Sequence, residues 1–183
     1  QAGADSLSSS CVVTGCASDT DPSASYDCVF HIRHFASSSD SGDVTPDKWY
    51  AYLRLADTSN SSTSQTQNFE IPTLASLDIT GSVNFGSIAQ GVSTTQAAVT
   101  LTNQGNKRNL DAYFSSTAFT CTAGSFTVGN FRYSSSSVDY LVKEPATASQ
   151  RRIGISVNRQ TVDATPSTAS LYLQVLPPTV ANN

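Results

Sequence analysis

The chain has no methionine, a single tryptophan and little charge: 13% of its 183 residues are Asp, Glu, Lys or Arg. Hydrophobic residues reach 38%, below the ~45–50% usual in globular domains. Ser and Thr fill the gap, 51 residues together. A polar, weakly charged, Thr-rich composition suits exposed β-strands. It suits intracellular proteins poorly, since those rely on charge for solubility. Basic residues number 10 against 14 acidic ones, a net charge of −4. That balance argues against a nucleic-acid partner, because phosphate backbones demand basic patches. No apolar run reaches the ~18 residues of a membrane helix, so no membrane span is expected. There is no basic-then-apolar leader, and Gln1 reads as a processed terminus.

Signs of catalysis are missing as well. Serines abound without a G-x-S-x-G elbow. The two histidines, His31 and His34, lie three residues apart. On a strand that spacing puts them on opposite faces, so they chelate no common ion and share no acid partner. Carboxylates cluster in turns, not around one cleft. The expected class is therefore not an enzyme.

Four cysteines are present, Cys11, Cys16, Cys28 and Cys121, with no C-x-x-C and no zinc spacing. An even count in a Ser/Thr-rich chain reads as disulfides made in an oxidising compartment. Three of them precede residue 30 and one follows residue 120. Full pairing then needs a bond between the two halves or between two molecules. Within the first half Cys16–Cys28 is the favoured pair, closing a loop of about a dozen residues worth ~3 kcal/mol.

Helical periodicity is nearly absent. Strand signals fall at residues 29–35, 49–55, 77–85, 97–103, 109–114, 125–128, 138–142, 151–157 and 169–176. Ser-, Gly- and Pro-rich turns separate them. Many short strands at such spacing indicate all-β sandwiches. Residues 83–106 are the most informative. Val83 and Phe85 alternate with Asn84, and Val99 and Leu101 with Thr100 and Thr102, the period of half-buried strands. Gly86 and Gly91 bracket a bend in which a residue without Cβ can take positive φ.

This stretch, VNFGSIAQGVSTTQAAVTLTNQGN, resembles the opening hairpin of immunoglobulin-like modules in secreted and surface prokaryotic proteins, where N-F-G-x-(I/V)-x-x-G precedes V-T-L-T-N-x-G-N. The resemblance covers the C-terminal ~105 residues, about the size of one such domain. A weaker likeness lies upstream: Y-D-C-V-F-H-I-R-H-F-A and K-W-Y-A-Y-L-R-L-A-D are similar to the Cys-bearing and Trp-bearing strands of the same modules. The resemblance implies tandem immunoglobulin-like antiparallel β-sandwiches. It divides the chain into an N-terminal segment (1–15), a small Cys-containing domain (16–75) and a second sandwich (76–183).

Alternation puts Tyr26, Cys28, Phe30 and Ile32 on one face of their strand, and Trp49, Ala51, Leu53 and Leu55 on the core face of the next. The core of the second sandwich is expected to hold Val83, Phe85, Val99, Leu101, Phe114, Ile153, Ile155, Leu171 and Leu173.

Candidate sites are sparse. Asp19, Asp21 and Asp27 form a weak calcium site, since Ca²⁺ wants several carboxylate and carbonyl oxygens; the loop lacks EF-hand spacing, and solvated turn residues are the simpler reading. No other cofactor is implied. Asn60 opens the only N-x-(S/T) sequon. Tyr50 and Tyr52 share an outer strand face, where they suit a protein contact or sugar stacking. Residues 5–15, with Leu7, Val12 and Val13, form a β-capable run behind a Ser-rich start. Such a run, or the C-terminal tail, can add as a strand to a neighbouring copy's open sheet edge; the alternative is that the run pairs within its own first domain.

The function expected from all this is a structural subunit of an extracellular, pilus-like filament or cell-surface layer: a homopolymer joined by donor strands. The alternative is a secreted adhesive or carbohydrate-binding module that meets surface glycans.

Overall fold

A computed structural model describes residues 6–15, 25–40, 48–54, 65–121 and 124–179. Among these described residues there are thirteen strands, all paired antiparallel, and no α-helix. The all-β class expected from the sequence is the one found. The chain forms two compact units. One comprises Gln1–Leu74 with Gly105–Lys107 and Gln160–Thr165; the other comprises Ala75–Gln104, Arg108–Arg159 and Pro166–Asn183. A division into contiguous pieces has no counterpart for the two later segments that join the first unit.

In the first unit, β1 (Ser6–Val13) pairs with β2 (Tyr26–Ile32), and β3 (Trp49–Leu53) pairs with β4 (Gln65–Phe69). The alternation expected of β3 holds in part: Trp49, Ala51 and Leu53 are half-buried and Tyr52 is exposed, but Tyr50, expected on the outer face, is half-buried too. Trp49 is fixed through its indole N–H, which donates to the Ser37 carbonyl at 2.8 Å. Phe35 and Ala36, in the turn after β2, are fully buried. The Arg33 guanidinium lies over the Phe35 ring and pairs with Asp163 at 2.7 Å.

Much of this unit is held by polar side chains acting on backbone. Ser39 exchanges two bonds with Ile71, its N–H donating to the carbonyl and its Oγ accepting from the N–H, both at 2.9 Å. Asn106 does the work of a strand for Pro72 to Leu74. Its Oδ1 accepts from the Leu74 N–H at 2.6 Å and its Nδ2 donates to the Pro72 carbonyl at 3.0 Å.

Asp40 accepts from the side chain and the backbone N–H of Thr73, and these bonds hold its carboxyl below its ordinary value of 3.8. A carboxylate with a lowered folded pKa contributes stability above its unfolded value and loses it as pH falls through the folded one. Stability of the first unit is therefore expected to decline as pH drops below about 4. Asp40→Asn should flatten that part of the profile when Trp49 fluorescence follows unfolding. An unchanged slope in the variant would show that Asp40 does not contribute.

The second unit contains a five-stranded sheet in the order β11-β10-β13-β6-β5, built from β5 (Leu77–Thr80), β6 (Ala97–Asn103), β10 (Phe131–Ser134), β11 (Glu144–Pro145) and β13 (Thr168–Val175). Two further pairs are β7 (Leu110–Phe114) with β12 (Arg151–Val157), and β8 (Phe119–Cys121) with β9 (Gly124–Phe126). The core lies between these sheets in a sandwich-like arrangement. Val99, Leu101, Leu171, Leu173, Phe131 and Tyr133 of the large sheet meet Ala112, Ile155, Val157 and Phe126 of the others. Of the expected core residues, Val99, Leu101, Ile155, Leu171 and Leu173 are buried, and Phe85, Phe114 and Ile153 pack partly buried against them. Val83 is a correction: it is exposed, because β5 stops at Thr80 and residues 82–86 run as irregular chain. Gly86 and Gly91 do take positive φ, 63° and 69°.

Other strand expectations need correction too. Residues 138–142 are no strand; Tyr140–Val142 is a 3-10 turn. The β-capable run at residues 5–15 is β1, whereas β4, β8, β10 and β11 had no counterpart among the expected strands: β4 is mostly Gln, Thr and Asn, and the others span four residues or fewer. In β12, register slips between Arg152 and Ser156, where Gly154 has φ +69°. A bulge with a left-handed residue needs a side chain without Cβ.

Asn103 is the second polar clamp of the resembled motif. It is 1% exposed, and its Nδ2 donates to the Val157 carbonyl at 3.1 Å, tying β6 to β12 across the core. Asn103→Ala would strand a buried acceptor and should cost about 1–3 kcal/mol. The urea midpoint should fall at unchanged slope. A loss below about 0.5 kcal/mol, the range of neutral surface changes, would mean that the clamp is dispensable.

Candidate interaction surface

The β1–β2 ribbon is the most unusual surface of the first unit. Its register sets Cys11 opposite Cys28, Val13 opposite Tyr26, and Val12 opposite Asp27. Cys11 and Cys28 form a disulfide with Cα atoms 4.1 Å apart. This corrects the favoured Cys16–Cys28 pairing: register, not loop length, brings the thiols together. Cys16 lies outside the described residues, as does the Cys121 side chain; the Cys121 backbone ends β8.

A Cα separation this short marks a non-hydrogen-bonded pair, for which ~4.5 Å is usual against ~5.5 Å for a bonded one. The Thr14 N–H donating to the Ser25 carbonyl at 2.8 Å fixes the same phase. Residues 10, 12 and 14 therefore bond inward to β2, while the N–H and C=O groups of residues 9, 11 and 13 point to the other edge of β1. Among the described residues no strand occupies that edge.

Both faces of the ribbon carry exposed apolar side chains, on one of them beside exposed Ser10, Asp27 and His31. Val12 and Val29 are 63% and 52% exposed on one face; Val13 and Phe30 are 49% and 45% exposed on the other. Phe30 and Ile32, expected on one face with Tyr26 and Cys28, are exposed, while Tyr26 and Cys28 are half-buried. The N-terminal segment, expected as a candidate donor strand or as a strand of its own domain, takes the second place. Residues 6–13 are paired at home with β2. Leu7 lies on β1, its side chain outside the described residues.

The remaining candidates fall apart from one another. Tyr50 and Tyr52 do share a face of β3, with ring centroids 6.3 Å apart and planes tilted by 30°. His31 is exposed on β2, and His34, in the following turn, meets Phe35 edge-on at 5.1 Å. Asp27 is exposed on β2; Asp19, Asp21 and Asn60 lie outside the described residues. Among the described residues no three His, Cys, Asp or Glu side chains are grouped to hold a metal ion. No helix among them is long and apolar enough to cross a membrane.

Two surfaces that sequence reasoning missed belong to the second unit. The edge strand β5 exposes Leu77 and Ile79, and the turn Tyr140–Val142 exposes Leu141 and Val142. Beside that turn Lys143 is buried, its Nζ donating to Gln96 Oε1 at 2.6 Å, and burial pushes its pKa down. Apolar residues in strand-like patterns gave the only signal, and it pointed to strands, with no indication of exposure.

Compared with known proteins, the chain matches no family model, no curated protein and no solved structure.

Proposed function

We propose that this chain is a non-enzymatic structural subunit of an extracellular filament or surface layer, built of immunoglobulin-like modules and joined to copies of itself by β-strand addition. The observation that carries this reading is the β1–β2 ribbon, whose outer edge no strand occupies among the described residues and whose two faces expose Val12, Val29, Val13 and Phe30. A two-stranded ribbon is at best marginal alone in water and wants a third strand or a covering layer. Its edge strand, Ser6–Val13, has no charged residue and no proline, the usual devices that keep an edge from pairing with another chain. Because β1 is paired within its own chain, the contact takes the form of a neighbour's strand laid along β1, not of β1 donated outward. A contact between unlike surfaces repeats head to tail and, where its rotation does not close a ring, yields a filament. Oxidised cysteines and a Ser/Thr-rich surface fit a secreted location. No cofactor is required.

Electron microscopy of the concentrated protein should show polymers. Val13→Pro should abolish them: it removes an N–H that points to the open edge, and no internal ladder bond is lost. The Cys11–Cys28 bond is expected to remain in the variant. Polymers unchanged in Val13→Pro, or a parent protein monomeric at every concentration, would overturn the proposal. The exposed Tyr52 beside Tyr50 favours a second reading, a carbohydrate-binding surface module. Retention on a polysaccharide column, lost in Tyr52→Ala, would support that reading instead.

A further inference from the structure

The Cys11–Cys28 disulfide joins a strand pair that little else secures. Among the described residues β1 and β2 pair with each other and with no other strand. Val12, Val13, Val29, Phe30 and Ile32 are exposed, so burial adds little to the bonds of the ladder itself. A ladder of two strands is marginal alone in water. Cys11 stands between Ser10 and Val12, the residues whose backbone bonds inward to β2 opposite Val29 and Asp27. The disulfide therefore acts at the centre of this pairing. Cys11 is exposed and Cys28 half-buried, so thiols and disulfides in solution reach the bond.

The strand that carries Cys11 also carries the open edge. Ser6–Val13 has neither a charged residue nor a proline, so its sequence does not keep that edge from pairing with other chains. Such an edge is a hazard while a chain is being made and useful only once it has reached its place. For a disulfide-bearing chain, those two stages differ in redox compartment. Where thiols stay reduced, β1 is held by a marginal ladder alone. Where they are oxidised, the bond fixes β1 on β2 with its outer N–H and C=O groups in line.

We propose that Cys11 and Cys28 form a redox latch on the β1 edge: the edge is presented to a neighbouring copy only after the two thiols have been oxidised. This inference rests on the self-assembly reading above and adds its regulation. The oxidant is a disulfide, small or on a protein. The Cys11 thiolate attacks one of its sulfurs and expels the other as a thiolate. The Cys28 thiolate then attacks the Cys11 sulfur and expels the second. One S–S bond breaks and one forms. The oxidant gains two electrons, takes up the two protons given up by Cys11 and Cys28, and leaves as two thiols. A dithiol reductant reverses these steps and frees β1.

Amide hydrogen exchange of the dilute, intact chain, with and without dithiothreitol, tests the latch where no neighbour covers β1. Reduction should lower protection of the Ser10, Val12 and Thr14 amides about a hundredfold, the loop entropy of such a bond expressed as an equilibrium constant. Trp49 fluorescence should stay native. Protein reduced while dilute should then sediment as a monomer on concentration, and oxidised glutathione should restore both protection and polymers. Cys11→Ser/Cys28→Ser should match the reduced protein under all conditions. Cys16→Ser/Cys121→Ser should keep the parent's response, which assigns the effect to this pair. Equal β1 protection in both redox states would overturn the inference. So would loss of native Trp49 fluorescence together with β1, since the bond would then hold the whole unit. Polymers that form from chains whose β1 has lost protection sink both the ribbon joint and its latch. An oxidised protein monomeric at every concentration sinks the filament reading alone, because redox-dependent β1 protection would still establish the latch.

Discussion

Phe131→Ala is expected to destabilise the second unit by about 3–5 kcal/mol, the cost of emptying a well-packed aromatic site. Phe131 is buried at the start of β10, where three rings meet its own: Phe85 at 6.1 Å, Phe114 at 5.5 Å and Phe119 at 5.4 Å between centroids. All three contacts are edge-on, the arrangement aromatic rings prefer. Phe85 comes from irregular chain, Phe114 from β7 and Phe119 from β8, so truncation loosens three segments around one cavity. Urea unfolding followed by far-UV circular dichroism measures the loss. Tyr113→Ala serves as the control: Tyr113 neighbours Phe114 on β7 but is exposed, and its removal should cost less than about 0.5 kcal/mol. Equal effects of the two substitutions would show that the ring cluster is not the core of this unit.

Reduction of the Cys11–Cys28 disulfide is expected to cost the first unit about 3 kcal/mol, from the loop entropy returned to the unfolded chain across a separation of 17 residues. The ribbon it staples leaves Val12, Val13, Val29, Phe30 and Ile32 exposed, so its apolar residues contribute little burial. Trp49, the only tryptophan, lies in the first unit. Its fluorescence therefore reports that unit alone, with and without reductant. The second unit contains one cysteine, Cys121, and can hold no internal disulfide. Its transition should not move unless Cys121 is bonded elsewhere. Thiol titration of the unfolded, unreduced protein should find Cys11 and Cys28 blocked, so that any free sulfhydryl belongs to Cys16 or Cys121. A fluorescence transition indifferent to reductant would show that the disulfide adds nothing to the first unit.

The strands that could be read in advance are those whose two faces meet different solvents. Ala97–Asn103 and Arg151–Val157 match their sequence signals residue for residue, and Thr168–Val175 departs by one residue at each end. In all three, apolar side chains alternate because one face is buried. The turn glycines Gly86 and Gly91 were legible for a similar reason, since only a residue without Cβ takes their φ cheaply. Where burial does not follow alternation, the pattern misled. Leu141 and Val142 look like strand residues, yet Arg132 gathers the carbonyls around them into a turn and turns both side chains outward. Val29, Phe30 and Ile32 follow Cys28 in a strand that reads as apolar, yet all three are exposed.

The candidate surfaces were hidden by the same ambiguity. An apolar residue at an edge and one in a core are the same letter, and the coverage of Ile79 or Phe30 depends on sheets assembled from distant segments. By itself the sequence determined the all-β class, the antiparallel hairpin chemistry, the buried rows of β6, β12 and β13, and the absence of a long apolar span, because each follows from local periodicity and turn stereochemistry. Only tertiary structure decided that Cys11 faces Cys28, that Asn103 and Asn106 clamp backbone from other segments, and that two loops from late in the chain join the first unit. Those outcomes depend on register and on contacts between residues tens of positions apart, and no local pattern encodes such distances.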